Sequence, residues 1–306
     1  MGFDDWAWLI YAWGLFTFVG FTLILAHCNH PPFLLPRRRN VNPKLSSSSS
    51  YQKTETQTHT GLRPGRCARI VVTRLLRFWE ARNAKKGGEL MGVDMLLLDD
   101  QSSLIQASVP VHRLNTFREL LREGAMYELS GFDVSRSNNH FKLFDSVVAI
   151  WLNEFTKMVE VPAVANHIPT EMFRFRSVEQ LMSLANTNVE LPDIIGEVSD
   201  IRTTYNDHTQ TTQRVMVNIR VDNKPFFSLA ATQCVSVFYS VAELLHKRLE
   251  HGVVQPKVMV ATNINPKFVG GRLYLNATSG AHFYFDNEVA ESQRLFEEYL
   301  SYLSLF

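Results

Sequence analysis

The chain has 306 residues, of which 45% are hydrophobic and 20% charged, with a formal net charge of +1. That length holds two domains of ordinary size, and the apolar content suits globular packing. Cys28, Cys67 and Cys234 are far apart and no CxxC occurs, which argues against a structural zinc site and against a disulfide framework and fits a reducing compartment.

Trp6 to Ala26 is an uncharged apolar run of twenty-one residues, enough to cross a bilayer core as a helix. Asp4 and Asp5 precede it, and Arg37, Arg38 and Arg39 follow. The positive-inside rule would place everything after it on the cytosolic side. An acidic leading flank argues against a signal peptide. Residues 1–30 are therefore expected to form a hydrophobic helix, either a membrane anchor through residues 6–26 or a leading appendage of a soluble protein. Residues 31–66 contain two prolines, three arginines and five serines in runs. They offer too little apolar surface to fold and are expected to be a disordered linker. The arginine triplet suits part of a nuclear import signal, the flank of a membrane helix or a solvated charge run equally well.

Residues 67–157 alternate short apolar runs with turn signals. The expected strands are Ile70–Trp79, Val93–Leu98, Leu104–Val109, Met126–Gly131 and His140–Ile150. Between the third and fourth, Val111, Leu114, Phe117, Leu120 and Leu121 follow a helical period. Three strands, a helix and two strands is the order of an OB-fold, a five-stranded Greek-key barrel. From Arg63 to Lys86 there are eight basic residues (Arg63, Arg66, Arg69, Arg74, Arg77, Arg82, Lys85 and Lys86) and one acid, Glu80. This cluster concentrates any electrostatic attraction for an anionic partner at the front of the first barrel.

Residues 158–186 are expected to be an interdomain linker with a short helix capped by Ser177, carrying Glu179 in its first turn. Residues 187–306 repeat the barrel pattern and add a closing helix from Glu288 to Leu303. Val215, Val217, Ile219 and Val221 point one way; Arg214, Met216, Asn218 and Arg220 point the other. Phe226–Ala231 is the expected third strand, followed by a helix with Val237, Val241, Leu244, Leu245 and Leu249 on one face. Val258–Ile264 and Arg272–Thr278 complete the barrel, with Arg272, Tyr274 and Asn276 on one face. The fold class is thus mainly β, two tandem OB-folds plus a hydrophobic amino-terminal helix.

Two blocks resemble a known family. Arg77-Phe78-Trp79-Glu80, the LLLDDQSS hairpin and Asn139-His140-Phe141 are similar to the first single-strand-binding OB domain of the replication protein A large subunit. Leu191 to Val198 and Lys267 to Leu273 are similar to the opening and closing strands of its second. The resemblance implies single-stranded DNA binding, a nuclear location and other replication protein A-like subunits as partners. The family's zinc-containing trimerising domain lies beyond the point where this sequence stops. The resemblance, with the groove chemistry of OB-folds, singles out Arg77, Trp79, Arg82, Lys85, Lys86, Phe141, Arg214, Phe268, Arg272 and Tyr274. Cations meet phosphates and rings offer a face on which any base stacks. Core packing is the competing assignment for Trp79 and Phe141. Two further stacking rings of the family fall near Val93 and Ala231, where this sequence has none.

No phosphate-binding GxxxxGK[ST], GxSxG or HExxH motif occurs, and His112, His140, His246 and His251 are scattered. The chain is therefore not expected to be an enzyme, and no cofactor is expected. The leading expectation is single-stranded DNA binding in replication, repair or recombination. Its competitor is a degenerate OB-fold scaffold for protein partners, held at a membrane if residues 6–26 span one.

Overall fold

The computed structural model describes residues 58–83, 86–137, 142–162, 167–205, 212–221, 232–251 and 256–304. The hydrophobic run 6–26 and residues 31–57 of the expected linker 31–66 lie outside the described residues. The remainder is corrected from a disordered linker, because His59–Gly61 forms a 3-10 turn with His59 buried and Gly65–Cys67 forms a strand. Among the described residues no helix is long and apolar enough to cross a membrane.

Fifteen strands among the described residues form two sheets. In the first, β1 (Gly65–Cys67), β2 (Val71–Asn83), β3 (Glu89–Leu98) and β4 (Leu104–Pro110) are followed by β5 (Met126–Ser130), β6 (Phe132–Arg136), β7 (Val148–Trp151) and β8 (Lys157–Val161). Their order is β1-β6-β7-β4-β3-β2-β5-β8. β5 and β6 are two halves of one bent strand: β5 pairs antiparallel with β2, and β6 pairs antiparallel with β7. Because β7 also runs parallel to β4, the bent strand closes the sheet into a barrel. The bend sits on Gly131, at φ 72°, where a Cβ would stand 2.5 Å from the Phe155 carbonyl oxygen. Only glycine fits that approach.

The second sheet repeats the scheme with β9 (Ile194–Tyr205), β10 (Thr212–Arg220), β11 (Gln233–Phe238), β12 (Val258–Ala261), β13 (Ile264–Val269), β14 (Arg272–Ala277) and β15 (Phe283–Phe285). β12 pairs with β9 and β13 with β14, while β14 runs parallel to β11. Here the bend between the two halves is carried by Asn263, at φ 54°. In each barrel a further strand, β8 or β15, pairs with the first half of the bent one. Apart from Asn83–Glu89, between β2 and β3, both barrels belong to one compact unit, and the chain is mainly β with two OB-folds.

The interior follows the period-two pattern. Val215, Val217, Ile219 and Val221 are buried together with Val235, Val237 and Leu275. Leu75, Met95, Ile105, Leu129 and Ile150 fill the first barrel. Three further expectations need correction. The helix expected from Val111 to Leu121 shrinks to Leu114–Phe117 between two 3-10 turns. Leu114, Phe117 and Leu121 are buried, whereas Val111 and Leu120 are exposed, so only part of the apolar period meets a core. Of the expected fifth strand His140–Ile150, His140 and Phe141 lie outside the described residues, the described strand is Val148–Trp151, and Leu143 and Phe144 are buried without joining the sheet. Phe226–Ala231 lies outside the described residues, and Gln233–Phe238 takes the third-strand place along β10. Val237 is therefore a strand residue, and Leu244 points to solvent.

The short helix is Val178–Leu184, and its start is a capping box. The Ser177 hydroxyl accepts the Gln180 amide, and the Gln180 side chain accepts the Ser177 amide. A closing helix runs from Ala290 to Leu303.

Candidate nucleic-acid interface

The structure draws two residues of the expected groove into the seam between the barrels. Arg77 is 1% exposed. Its Nη2 donates to the Met172 carbonyl at 3.2 Å, and its guanidinium lies 5.5 Å from the Phe173 ring centroid. Arg77 is therefore corrected from a phosphate contact to an interior cation. Trp79, partly buried, lies against Gly280 of the second barrel, so one face of its indole is taken. Around it, His282 Nε2 meets Glu123 Oε1 at 2.9 Å, and the Tyr284 hydroxyl donates to Glu171 at 3.2 Å. Burial pushes the Glu123 carboxyl up, but the His282 contact and the Phe78 amide outweigh it and hold it below the ordinary value. Glu171 is raised by burial against the pull of Arg77, and Tyr284 is raised by burial and by Glu171.

Arg74 is a second interior cation of the basic cluster, donating to the Ile168 and Gly124 carbonyls. Arg82 is exposed and paired with Glu80 at 2.6 Å, and Lys86 is exposed and 3.7 Å from Glu89. Lys85, Phe141 and Ala231 lie outside the described residues. Val93 is 4% exposed and belongs to the core. On the outer face of β3, β4 and β7, register sets Asp94 opposite Ser108 and Ser108 beside Trp151. Asp94 accepts the Ser108 hydroxyl at 2.6 Å, yet burial keeps its carboxyl above the ordinary value. The corresponding face of the first barrel thus carries an acid at its centre.

The second barrel presents a different face. Residues opposite one another in register share a side of the sheet. One row is Asn218, Cys234, Tyr274 and Lys267; the next is Met216, Ser236, Asn276 and Asn265. At the end of β10, Arg214 stands opposite Phe238. Its guanidinium lies 5.1 Å from that ring's centroid and donates to Ser236 Oγ at 2.8 Å. Beside Phe238, Tyr239 has an exposed ring and φ 56°, a backbone region uncommon for a non-glycine residue. Lys267 Nζ donates to Asn188 Oδ1 at 2.6 Å, and burial draws its ammonium down to about 8.

Of the expected residues, Arg214 and Tyr274 lie on this face, and Arg272 is exposed two positions from Tyr274. Phe268 belongs to β13 and pairs with Leu273. It lies by register on the opposite side from Tyr274 and is 42% exposed at the hairpin end. Phe238, Tyr239 and Lys267 are not singled out by the sequence. The alternation in Gln233-Cys234-Val235-Ser236-Val237-Phe238 carries the signal for the first of these. Together the face offers cations for phosphates, rings for bases and side-chain amides for base edges. Among the described residues, no group of three or more His, Cys, Asp or Glu converges as a metal site would.

No protein-family profile matches the chain. A replication protein A 70 kDa DNA-binding subunit of Arabidopsis thaliana is 27% identical over 130 residues, covering 42% of this chain and 20% of that protein. The matched part is thus about a fifth of the relative's length. A chain of a replication protein A heterotrimer bound to single-stranded DNA superposes with a TM-score of 0.53 at 19% identity, covering 80% of this chain and 55% of that one. The Ifi202 HINa domain, solved with duplex DNA, reaches a TM-score of 0.39 at 14% identity over 72% of this chain and 97% of its own. The resemblance to the replication protein A large subunit holds in sequence and in fold.

Proposed function

We propose that this chain binds single-stranded DNA stoichiometrically, with the strand laid across β10, β11 and β14 of the second barrel and reaching the first barrel's loops. The observation that carries the reading is Arg214 held over Phe238 on the face that also presents Tyr274 and Lys267. Cation and ring side by side suit a polymer whose phosphates and bases alternate along its length. Arg272 at the strand end and Phe268 at the hairpin end extend the set, and Arg82, Lys85, Lys86 and Phe141 are its proposed members on the first barrel.

The weight moves to the second barrel relative to the charge count. Arg74 and Arg77 are interior, and Asp94 occupies the first barrel's sheet face, where a phosphate would meet a carboxylate. Likeness to a DNA-binding relative supports DNA as the polymer. It also supports the nucleus as the location, replication, repair or recombination as the setting, and replication protein A-like subunits as partners.

The test is fluorescence anisotropy of the full chain with a labelled mixed-sequence oligonucleotide, titrated with salt. Arg214→Ala is expected to flatten the salt dependence by about 0.7 in slope, one phosphate's worth for a single strand. Phe238→Ala is expected to lower affinity by about 1–3 kcal/mol with the slope kept. Absence of binding by the wild-type chain would leave the protein-scaffold reading in its place.

A further inference from the structure

The residues between the short helix and β9 form a strap that holds β13. Asn186, at φ 64°, and Asn188, at φ 54°, occupy the left-handed region, which asparagine tolerates better than most side chains. Asn186 Nδ2 donates to the Phe268 carbonyl at 3.0 Å, and its Oδ1 accepts the Phe268 amide at 3.3 Å. The Asn186 amide donates to the Pro266 carbonyl at 3.1 Å. Asn188 Oδ1 accepts the Lys267 ammonium at 2.6 Å.

The far end of the strap is fastened to the first barrel. The Lys142 amide donates to the Val189 carbonyl, and the Leu191 amide donates to the Lys142 carbonyl, each at 2.8 Å. Between them Glu190 holds Arg174 at 3.2 Å and Arg176 at 2.6 Å, and Leu191 is buried. An anchored strap can therefore fix what it touches at the other end.

We propose that Asn188 and Asn186 are positioning residues of the nucleic-acid face, Asn188 aiming the Lys267 ammonium and Asn186 holding the hairpin that carries it. This rests on the reading that the second barrel's face receives the strand. An amide oxygen suits the task because it takes one ammonium hydrogen without cancelling the charge. A lysine stem loses rotamer freedom when it meets a phosphate, and fixing it beforehand removes part of that cost from binding. Burial favours the neutral amine at this site, so an acceptor also helps to keep the group protonated.

The experiment is a double-mutant cycle on the full chain, read by anisotropy with a mixed-sequence DNA oligonucleotide at several salt concentrations. Asn188→Gly keeps the backbone conformation and removes the acceptor. It should weaken binding about three- to tenfold, the scale of one lost hydrogen bond, with the salt slope unchanged. Lys267→Met should weaken binding and flatten the slope by about 0.7, and the double variant should bind no worse than Lys267→Met alone. Asn188→Asp keeps both the conformation and the acceptor, so it serves as a folded control. It should flatten the slope like Lys267→Met, because its charge competes with phosphate. Additive losses in the double variant, or full affinity in Asn188→Gly beside a weakened Lys267→Met, would overturn the positioning role while leaving the face reading intact. Full affinity and an unchanged slope in Lys267→Met would remove this lysine from the face, and the positioning role with it.

Discussion

The indole of Trp79 lies against the backbone of Gly280, across the seam between the two barrels. A Cβ at position 280 would stand 2.7 Å from Trp79 Cδ2 and 2.9 Å from Cε2, too close for any side chain to fit without displacement. Gly280 also accepts the Asn263 side chain at 2.7 Å, so the glycine joins the seam to the bend that closes the second barrel. Gly280→Ala is expected to lower stability by about 1–3 kcal/mol through overpacking. Urea unfolding, with the midpoint lowered and the slope unchanged, is the readout. A wild-type midpoint would mean that the ring and the glycine do not touch in solution.

Arg77 is expected to behave as a structural cation. Its Nε and Nη1 are buried and have no hydrogen-bond partner among the described residues, while its charge faces the carboxyl of Glu171. Arg77→Ala should cost about 3 kcal/mol or more, as removal of one buried charge leaves another uncompensated. The salt slope of DNA binding should stay unchanged in the surviving folded protein. A flattened slope with unaltered stability would return Arg77 to the surface and restore the phosphate contact expected from the sequence.

Glu171 should make the protein less stable at neutral pH than its amide would. Burial raises its folded pKa above the ordinary 4.5. A raised carboxyl carries a folding penalty that is full above the folded pKa and fades as pH falls toward the unfolded value. Glu171→Gln should therefore raise the melting temperature at pH 7, with the gain shrinking to nothing below about pH 4.5. Glu123 works in the opposite sense. Its depressed carboxyl adds stability above its unfolded value that is lost as pH falls through the folded one, equally in wild type and variant. A gain that persists at pH 4 would point to packing rather than charge.

Lys267 should give DNA binding a pH dependence in a range where few groups titrate. Burial draws its pKa to about 8, so the ammonium is mostly charged at pH 7 and mostly neutral at pH 9. Affinity for single strands should fall over that interval. Lys267→Arg, which stays protonated, should remove the fall. Identical pH profiles for the two proteins would take Lys267 out of the binding face.

Much of the barrel was legible because period-two patterning is a local property. Val215, Val217 and Ile219 face inward in the structure as their spacing predicts, and Ser177 caps its helix from the residue types alone. The polar residues that alternate with them, Arg214 and Tyr274 included, reach the face their register assigns. The bent fourth strands were only half legible. Met126–Gly131 reads as one strand that stops, whereas the chain turns on Gly131 and runs on as β6.

What the sequence could not decide is which neighbour an outward-facing residue meets. Arg77 and Trp79 carry the composition of a binding groove, and nothing within β2 distinguishes a strand end that faces nucleic acid from one that faces another barrel. That choice is made by Phe173, Gly280, His282 and Tyr284, far along the chain. Asn186 and Asn188 likewise look like linker residues until folding lays them on Pro266, Lys267 and Phe268. Local spacing assigns a side of a strand. Contacts between distant segments determine whether that side is solvent, seam or site, since burial and hydrogen bonding depend on which atoms are brought close in space.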